Sequence, residues 1–280
     1  MATRYPIYVI SKGRANSCLT TRALDWLGVD HKVVIEPTEY EDYSNNVDPK
    51  KLLQLPFSDL GQGSIPARNW VWDHSKSLGY GRHWILDDNL EDFNRLNRNM
   101  KLRVRTDAMF RAAEDFVDRY ENVPLSGFNY YSFAKSTDKV PPYYINTRVY
   151  SCILIDNNLE HRWRGKFNED TDLSLRVLKS GYCTILFNAF LCGKITTMRM
   201  SGGNTDSLYH QTDNRKEFVE SLIKQHPDVV KMTKKFGRWH HQVNYKPFKG
   251  NELKLKGEQS PDIVNEYGMY IKEVRPPKTR

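Results

Sequence analysis

The sequence predicts an α/β fold with a mostly parallel central sheet flanked by helices. Through about the first 190 residues, short apolar segments rich in β-branched residues alternate with longer segments whose apolar residues fall on one helical face. Such alternation is typical of sheets built from strand–helix–strand units. In addition, two adjacent acidic residues, Asp87 and Asp88, directly follow an apolar segment. Open α/β sheets bind ligands at this position, beyond the carboxyl ends of their strands.

The N-terminal segment predicts a strand, a helix and a second strand. Residues 5–11 form an apolar run that predicts a buried strand. Residues 17–27 place Leu and Ala on one face of a helix, and Gly28 ends that helix. Residues 31–36 predict the second strand, which stops at Pro37 because proline cannot donate a ladder hydrogen bond.

The next helix and strand lead to the acidic pair. Pro66 stands in the first turn of a predicted helix that ends near Gly79, and proline suits this position because its missing N–H has no helical partner there. Residues 84–86 predict a short buried strand that runs into Asp87 and Asp88.

The remaining elements continue the alternation and divide the chain in two. Apolar periodicity predicts helices over residues 106–120, 171–180 and 215–226, and strands over residues 125–133, 148–156 and 183–187. Beyond residue 193 this periodicity becomes weaker. We therefore expect a core domain over residues 1–195 and a basic C-terminal appendage over residues 196–280 that packs on it.

Composition narrows the class of protein. The 280 residues carry 42 Lys plus Arg against 34 Asp plus Glu, and 39% are hydrophobic, as in soluble globular proteins. The longest apolar run, about residues 183–193, is shorter than the roughly 18 residues that span a bilayer and contains Asn188. Four cysteines show no CxxC spacing, which argues against a disulfide framework or a zinc site. We therefore expect a cytoplasmic protein that does not contact membranes.

Much of the positive charge is local. Residues 231–256 contain eight Lys or Arg and one acid, a balance of +7, with aromatic residues between the cations. Cations for phosphates beside rings for bases are typical of nucleic-acid-binding grooves. Residues 95–105 hold a second basic cluster without acids. A solvated surface is the alternative interpretation of either cluster. The candidate DNA-binding residues are Lys234, Lys235, Arg238, Trp239, His240 and Tyr245.

Two acidic groups are candidates for chemistry. The adjacent carboxylates of Asp87 and Asp88 repel each other unless a cation compensates them, and Mg²⁺ or Mn²⁺ is the simplest compensation. Alternatively, Asp88 only caps a turn. The second group, Glu169, Asp170 and Asp172, stands where a helix begins. One acid there can cap the helix, and another can take a proton from an attacking hydroxyl.

The order of these parts resembles a GT-A fold glycosyltransferase over roughly residues 5–195. With the basic C-terminal segment, the pattern is similar to the TET-associated glycosyltransferases of bacteriophage, which implies sugar transfer to hydroxymethylated pyrimidines in DNA. Four segments carry the resemblance: Ser11-Lys12-Gly13-Arg14, Ile65-Pro66-Ala67-Arg68-Asn69, Trp84-Ile85-Leu86-Asp87-Asp88-Asn89, and Asn168-Glu169-Asp170-Thr171-Asp172-Leu173-Ser174-Leu175-Arg176 ending at Gly181-Tyr182.

The resemblance implies a role for each candidate residue. A nucleotide sugar, with UDP as the first candidate nucleotide, would bind to Ser11, Lys12, Arg14, Arg68, Asp87 and Asp88. A divalent cation, Mn²⁺ or Mg²⁺, would bind to Asp88, Asn89 and His210. The family's DxD pattern has Asp where this chain has Asn89, so the metal contact would pass to Asp88 or be weaker. Asp170 would be the catalytic base, supported by Glu169 and Asp172.

The chemistry of these residues also permits other functions. The same fold could glycosylate a polysaccharide, a lipid carrier or a protein, although no amphipathic membrane-facing helix or lectin-like segment is evident. A two-metal nuclease could use the same acids, but no Glu-x-Lys pair follows Asp87 or Asp88. A non-catalytic DNA-binding module would place the acids as surface caps, yet acids at the ligand edge of a sheet make a poor DNA-binding surface.

Overall fold

The structure is a computed structural model of the chain, and it describes residues 2–135, 137, 139–165, 167–195, 215–235 and 237–257. Its strands are β1 (Ile7–Ile10), β2 (Lys32–Ile35), β3 (Leu52–Gln54), β4 (Arg82–Asp87), β5 (Leu90–Asn97), β6 (Met100–Arg103), β7 (Leu125–Tyr130), β8 (Tyr143–Ile145), β9 (Cys152–Asp156), β10 (Thr184–Lys194), β11 (Val230–Lys235) and β12 (Arg238–Val243). Its α-helices are α1 (Leu19–Leu27), α2 (Tyr40–Ser44), α3 (Ile65–Ser77), α4 (Ala108–Val117), α5 (Glu169–Lys179) and α6 (Arg215–Gln225).

Ten strands form one central sheet in the order β3-β2-β1-β4-β9-β7-β10-β5-β6, with β8 paired to β10. The pairs from β3 to β4 are parallel, as is the pair of β7 with β10. The antiparallel strand β9 separates these two parallel groups. The predicted α/β fold with a central sheet is therefore confirmed, but the sheet is mixed and not mostly parallel, because five of its nine described strand pairs are antiparallel.

Both faces of this sheet are covered, and alternate side chains of its strands pack on opposite faces. On β4, Trp84 packs with Phe110 of α4 and Phe128 of β7, at ring-centroid distances of 5.0 and 5.1 Å. The neighbouring Ile85 points to the other face, into the cluster that contains Val71 of α3 and Val177 of α5. Successive strand residues face opposite sides, so the middle of a strand that is buried on both faces is apolar at consecutive positions, as at residues 84–86.

The helices predicted from apolar periodicity are all present, but two hairpins were not predicted. The basic residues 95–105 fall largely on the antiparallel β5–β6 hairpin, whose outer strand β6 is an edge of the sheet. Residues 230–243 form the β11–β12 hairpin. Strands β6, β11 and β12 are largely exposed or half-buried and rich in polar and charged residues, so they lack the apolar alternation by which strands are recognised in sequence.

The described part of residues 196–280 packs its apolar side chains on α5 and also forms hydrogen bonds with Asn122, Asn146 and Arg148. Leu175 and Leu178 of α5 form an apolar cluster with Leu222 of α6, Val230 of β11 and Phe248. Within the described residues, no helix is long and apolar enough to cross a membrane.

Candidate active site

The ends of several strands bring the candidate residues to one edge of the sheet. Ser11 follows β1, Asp87 ends β4, and Lys194 ends β10. Ser151 joins them from the residue before β9, where it adopts a left-handed φ of 60°. Serine rarely adopts this conformation, and such strain is concentrated at functional sites.

Asp87 lies at the centre of a buried ionic group. Its Oδ1 is 2.8 Å from Arg68 Nη2, and its Oδ2 is 2.9 Å from Lys194 Nζ. The same Oδ2 accepts a hydrogen bond of 2.6 Å from Ser151 Oγ. Burial would raise the pKa of Asp87, but Lys194 and Arg68 lower it well below its usual range. Asp87 is therefore ionised and holds two cations at the sheet edge.

Asp88 is bound to the loop that follows β1. One carboxylate oxygen accepts a hydrogen bond from Arg14, and the other accepts one of 2.9 Å from Ser11 Oγ. The hydroxyl of Tyr43 lies 2.6 Å from Ser11 Oγ and orients it. Burial raises the pKa of Asp88, and Arg14 opposes this only in part. The structure thus brings Ser11, Arg14 and Asp88 together.

Lys12 points away from this group. Its Nζ lies 2.6 Å from Glu36 and 2.6 Å from Asp59, in an exposed network beyond β2. With both partners outside the ionic group of Asp87, Lys12 supports the loop that carries Ser11 and Arg14.

Arg68 connects the two acidic groups. Besides Asp87, its guanidinium lies 3.8 Å from Glu169 Oε1 and 4.8 Å from the centre of the Trp163 ring. Burial raises the pKa of Glu169, although Arg68 lowers it in part. The start of α5 is therefore held beside the end of β4.

Asp170 lies near Arg148, which in turn contacts His241 of β12. Asp170 Oδ1 accepts hydrogen bonds from the backbone N–H and the hydroxyl of Thr171, at 2.6 and 3.2 Å. Burial would lower the pKa of Arg148, but the Asp170 carboxylate and nearby tyrosines raise it above its usual value. Arg148 Nη1 is 3.2 Å from His241 Nε2 of β12. Burial, followed by Arg148, lowers the pKa of His241 to about 4, so the neutral ring accepts this hydrogen bond.

Asp172 has structural contacts instead of the supporting role expected for it. It is fully buried, and its carboxylate pairs with Arg164, Arg176 and His226, the last at 2.9 Å. Burial would raise the pKa of Asp172, but His226 and Arg164 lower it to about 2. The His226 pair links α5 to the residue that follows α6, and the Arg164 pair links α5 to the segment before it.

The expected metal ligands fit a divalent cation only in part. Asn89 Oδ1 is buried without a hydrogen-bond partner, and the Asp88 carboxylate retains lone pairs beyond the two already used. Among the described residues, no three His, Cys, Asp or Glu side chains are grouped as a metal site. His210 lies outside the described residues. Asp88 and Asn89 could thus hold an ion that completes its shell with phosphate oxygens and water.

The candidate DNA-binding residues divide between two faces of the β11–β12 hairpin. Lys234 is paired with Trp239 and its Nζ lies 4.4 Å from the ring centre, on the same face as His241. Lys235 and Arg238 are paired on the opposite, exposed face together with His240. Tyr245 follows the hairpin and packs near Phe248. One face thus reaches Arg148, and the other is a basic surface.

Sequence reasoning missed Lys194, Ser151, Arg148 and His241. Lys194 carried the same signal as Asp87, since both directly end an apolar strand, but the predicted strand stopped at residue 187. No local signal marks Ser151 or Arg148, because their importance depends on which strands pair.

The edge of the central α/β sheet thus gathers paired carboxylates and cations beside the loop that follows β1. The chain belongs to the TET-associated glycosyltransferase family, whose model matches residues 5–203. It is therefore a glycosyltransferase enzyme, which removes the nuclease and non-catalytic interpretations.

Two solved structures show a more distant likeness. A Desulfovibrio desulfuricans G20 protein assigned as a nucleotide-diphospho-sugar transferase shares 11% identity over 81% of this chain and 99% of its own, with a TM-score of 0.42. The structure of GalNAc-T7 with UDP, GalNAc and Mn²⁺ shares 10% identity over 70% of this chain and 44% of its own, with a TM-score of 0.39. No curated protein shows a significant match.

Proposed function

We propose that this enzyme transfers a sugar from a nucleoside diphosphate sugar, with UDP as the first candidate, to the hydroxymethyl group of a modified pyrimidine in double-stranded phage DNA. 5-Hydroxymethylcytosine is the first candidate acceptor, and the cytoplasm of an infected bacterium is the expected location. Membership in the TET-associated family supports this acceptor class. The observation that carries the donor assignment is the buried group in which Asp87 holds Arg68 and Lys194 at the sheet edge.

The buried cations would stabilise the leaving diphosphate. As the bond between the sugar and the diphosphate breaks, negative charge grows on the phosphate oxygens. Fixed donors at that position stabilise the transition state because they need no reorganisation during the reaction. Arg14, Arg68 and Lys194 are held in this way by Asp87 and Asp88.

The charge balance supports a divalent cation that arrives with the donor. Asp87, Asp88, Glu169 and Asp170 give four formal negative charges, and Arg14, Arg68, Arg148 and Lys194 give four positive ones. The site alone is therefore formally neutral, and a diphosphate would bring uncompensated charge. Asp88 and Asn89 are the residues that would hold the ion. When bound, it supplies positive charge for the leaving diphosphate.

Asp170 is the proposed base. The acceptor hydroxyl is a weak nucleophile, so its proton must move to a carboxylate as its oxygen bonds to the sugar carbon. The electron pair of the broken bond leaves with the diphosphate. Arg148 lies near the Asp170 carboxylate and interacts with it electrostatically, so Asp170 and Arg148 form a charged pair at the start of α5.

The β11–β12 hairpin is the proposed acceptor-binding element. Its inner face reaches Arg148 through His241, and Lys235 and Arg238 stand exposed on its outer face. A base in a duplex must leave the stack to reach an enclosed site. Trp239 is the ring on this hairpin that could stack with the displaced base or a neighbour.

The test is transfer to defined duplexes. The enzyme is incubated with Mn²⁺, a panel of nucleotide sugars and duplexes that contain 5-hydroxymethylcytosine or unmodified cytosine. The DNA is then digested to nucleosides, and their masses are measured by mass spectrometry. We expect the mass of one sugar residue to be added to the 5-hydroxymethylcytosine nucleoside and no mass to be added to the cytosine nucleoside. Hydrolysis of a nucleotide sugar without transfer to any DNA would reject the acceptor and favour a polysaccharide or protein.

A further inference from the structure

The β5–β6 hairpin is a basic arm that starts at the active site. Leu90, its first residue, directly follows Asn89, and β5 has eight residues. At roughly 3.3 Å per residue, the turn of the hairpin is about 25 Å from the site. The cations of the arm and of the residues just after it are Arg95, Arg98, Lys101, Arg103 and Arg105.

The cations of the arm are largely exposed, and the two acids of the arm, Glu91 and Asp92, lie at its start beside the site. Arg95, Arg98, Arg103 and Arg105 are exposed, and Lys101 is half-buried. Within the described residues, none of these five cations forms an ion pair with a carboxylate. Most basic side chains on a mixed surface have an acid nearby, so a run of five without one favours an anionic partner.

Neutral groups hold three of these cations in place. Arg103 lies 4.4 Å and Arg105 5.7 Å from the centre of the Trp26 ring, and Arg105 Nε also donates to the Trp26 carbonyl oxygen. Lys101 Nζ donates to the Tyr131 carbonyl at 2.6 Å and lies 4.1 Å from its ring centre. These contacts order the side chains without cancelling their charge, which reduces the entropy lost when a phosphate binds.

The turn of the arm is unfavourable for the residue that occupies it. Arg98 and Asn99 have φ of 49° and 63°, as a two-residue type I′ turn requires. Asn or Gly is preferred at both positions, and arginine pays a steric penalty for a positive φ. A cation kept at the exposed end of the arm despite this penalty suggests a binding role for its charge.

We infer that the arm binds the phosphate backbone of duplex DNA at a distance from the modified base. This inference rests on the proposed function, because the acceptor base must lie at the site where the arm begins. Duplex DNA carries a charge about every 1.7 Å along its axis, so phosphates continue beside an arm of this length. The arm thereby adds affinity for long duplexes without reading their sequence.

The test is a double variant, Arg95→Gln with Arg98→Asn, and a matched control, Lys50→Gln with Lys76→Asn, which removes two exposed charges elsewhere. Binding to a 30-base-pair hydroxymethylcytosine duplex is measured by fluorescence anisotropy at several salt concentrations. In the arm variant, we expect the salt slope to fall by about 2 and the affinity to fall roughly tenfold or more at 100 mM salt, because each lost phosphate contact releases about 0.9 fewer counterions. The control should match the wild type.

Two further measurements separate the possible outcomes. Nucleotide-sugar hydrolysis without DNA should be unchanged in the arm variant, and its melting temperature should not fall, because Asn suits the turn at position 98. If the wild type binds and glycosylates duplexes and the arm variant has the same salt slope as the wild type, the inference about the arm is wrong and the proposed function stands. If the wild type hydrolyses the donor but does not bind duplexes, the proposed acceptor and the arm both fail.

Discussion

Replacing Lys194 tests the donor site most directly. Lys194→Met keeps much of the side-chain length and apolar contact but removes the ammonium group that lies 2.9 Å from Asp87 and 2.7 Å from Ser151. Burial would lower the pKa of Lys194, yet Asp87 raises it above its usual value. Lys194 is therefore a cation throughout any practical assay range, and the substitution removes a full charge from the site.

The size of the effect follows from the position of that charge. Two unit charges about 4 Å apart interact by roughly 4 kcal/mol at an effective dielectric constant of about 20. Loss of a fixed donor to developing negative charge lowers kcat by about 10² to 10³ in other enzymes. Asp87 keeps Arg68 and Ser151 as partners, so we expect a stability loss of only about 1–3 kcal/mol, below that of a fully broken buried pair.

The assay compares kcat for transfer in Lys194→Met, Lys194→Arg and Lys179→Met. Lys179 is the matched control, because it is paired with Asp228 at 2.7 Å outside the site. We expect the Met variant to lose about 10²-fold in kcat, the Arg variant to recover part of it, and the control to stay within about twofold. A kcat for Lys194→Met within threefold of the wild type, in a folded protein, would refute the role of Lys194.

Three further predictions concern the base, the cation and the pH dependence of stability. Asp170→Asn should lower turnover by about 10²-fold or more while calorimetry still detects donor binding, and normal turnover would make Asp170 only a helix cap. EDTA should abolish transfer and Mn²⁺ should restore it, and full activity in EDTA would contradict a role for the metal. Because Asp88 and Asn89 form a weak ligand set, calorimetry should detect Mn²⁺ binding only when UDP is present. Burial lowers the pKa of His83 to about 4, so the unfolded state binds its proton first as the pH falls. His83 should therefore contribute a fall of about 2 kcal/mol in the free energy of unfolding between pH 7 and pH 5, measured as the difference between the wild type and His83→Gln in urea titrations at the two pH values.

The helices and the buried strands could be predicted because their signals are local. The apolar residues of α1 and α4 recur at helical spacing, and the middle of β4, residues 84–86, is apolar and buried. Strand β6 and both strands of the β11–β12 hairpin are largely exposed or half-buried and polar, so their sequence shows basic clusters and no strand pattern. The sequence could therefore identify the positive charge of these segments but not that they form hairpins.

The acidic trio shows the same limit within one helix. Glu169, Asp170 and Asp172 look equivalent in sequence, but residues two apart on a helix point about 200° apart. Asp170 faces Arg148, whereas Asp172 is buried among basic residues that come from both sides of α5. The burial of each acid depends on what packs against the helix, which local sequence does not specify.

The sequence by itself determined the alternating α/β order and the position of Asp87 and Asp88 after a buried strand, because periodicity and strand ends are properties of neighbouring residues. Only the tertiary structure decided that Lys194, distant in sequence, lies 2.9 Å from Asp87 and that Arg148 meets His241 of a later hairpin. Those contacts depend on which strands pair and in which direction. Strand pairing is set by the packing of the whole sheet, so no short segment of the chain contains it.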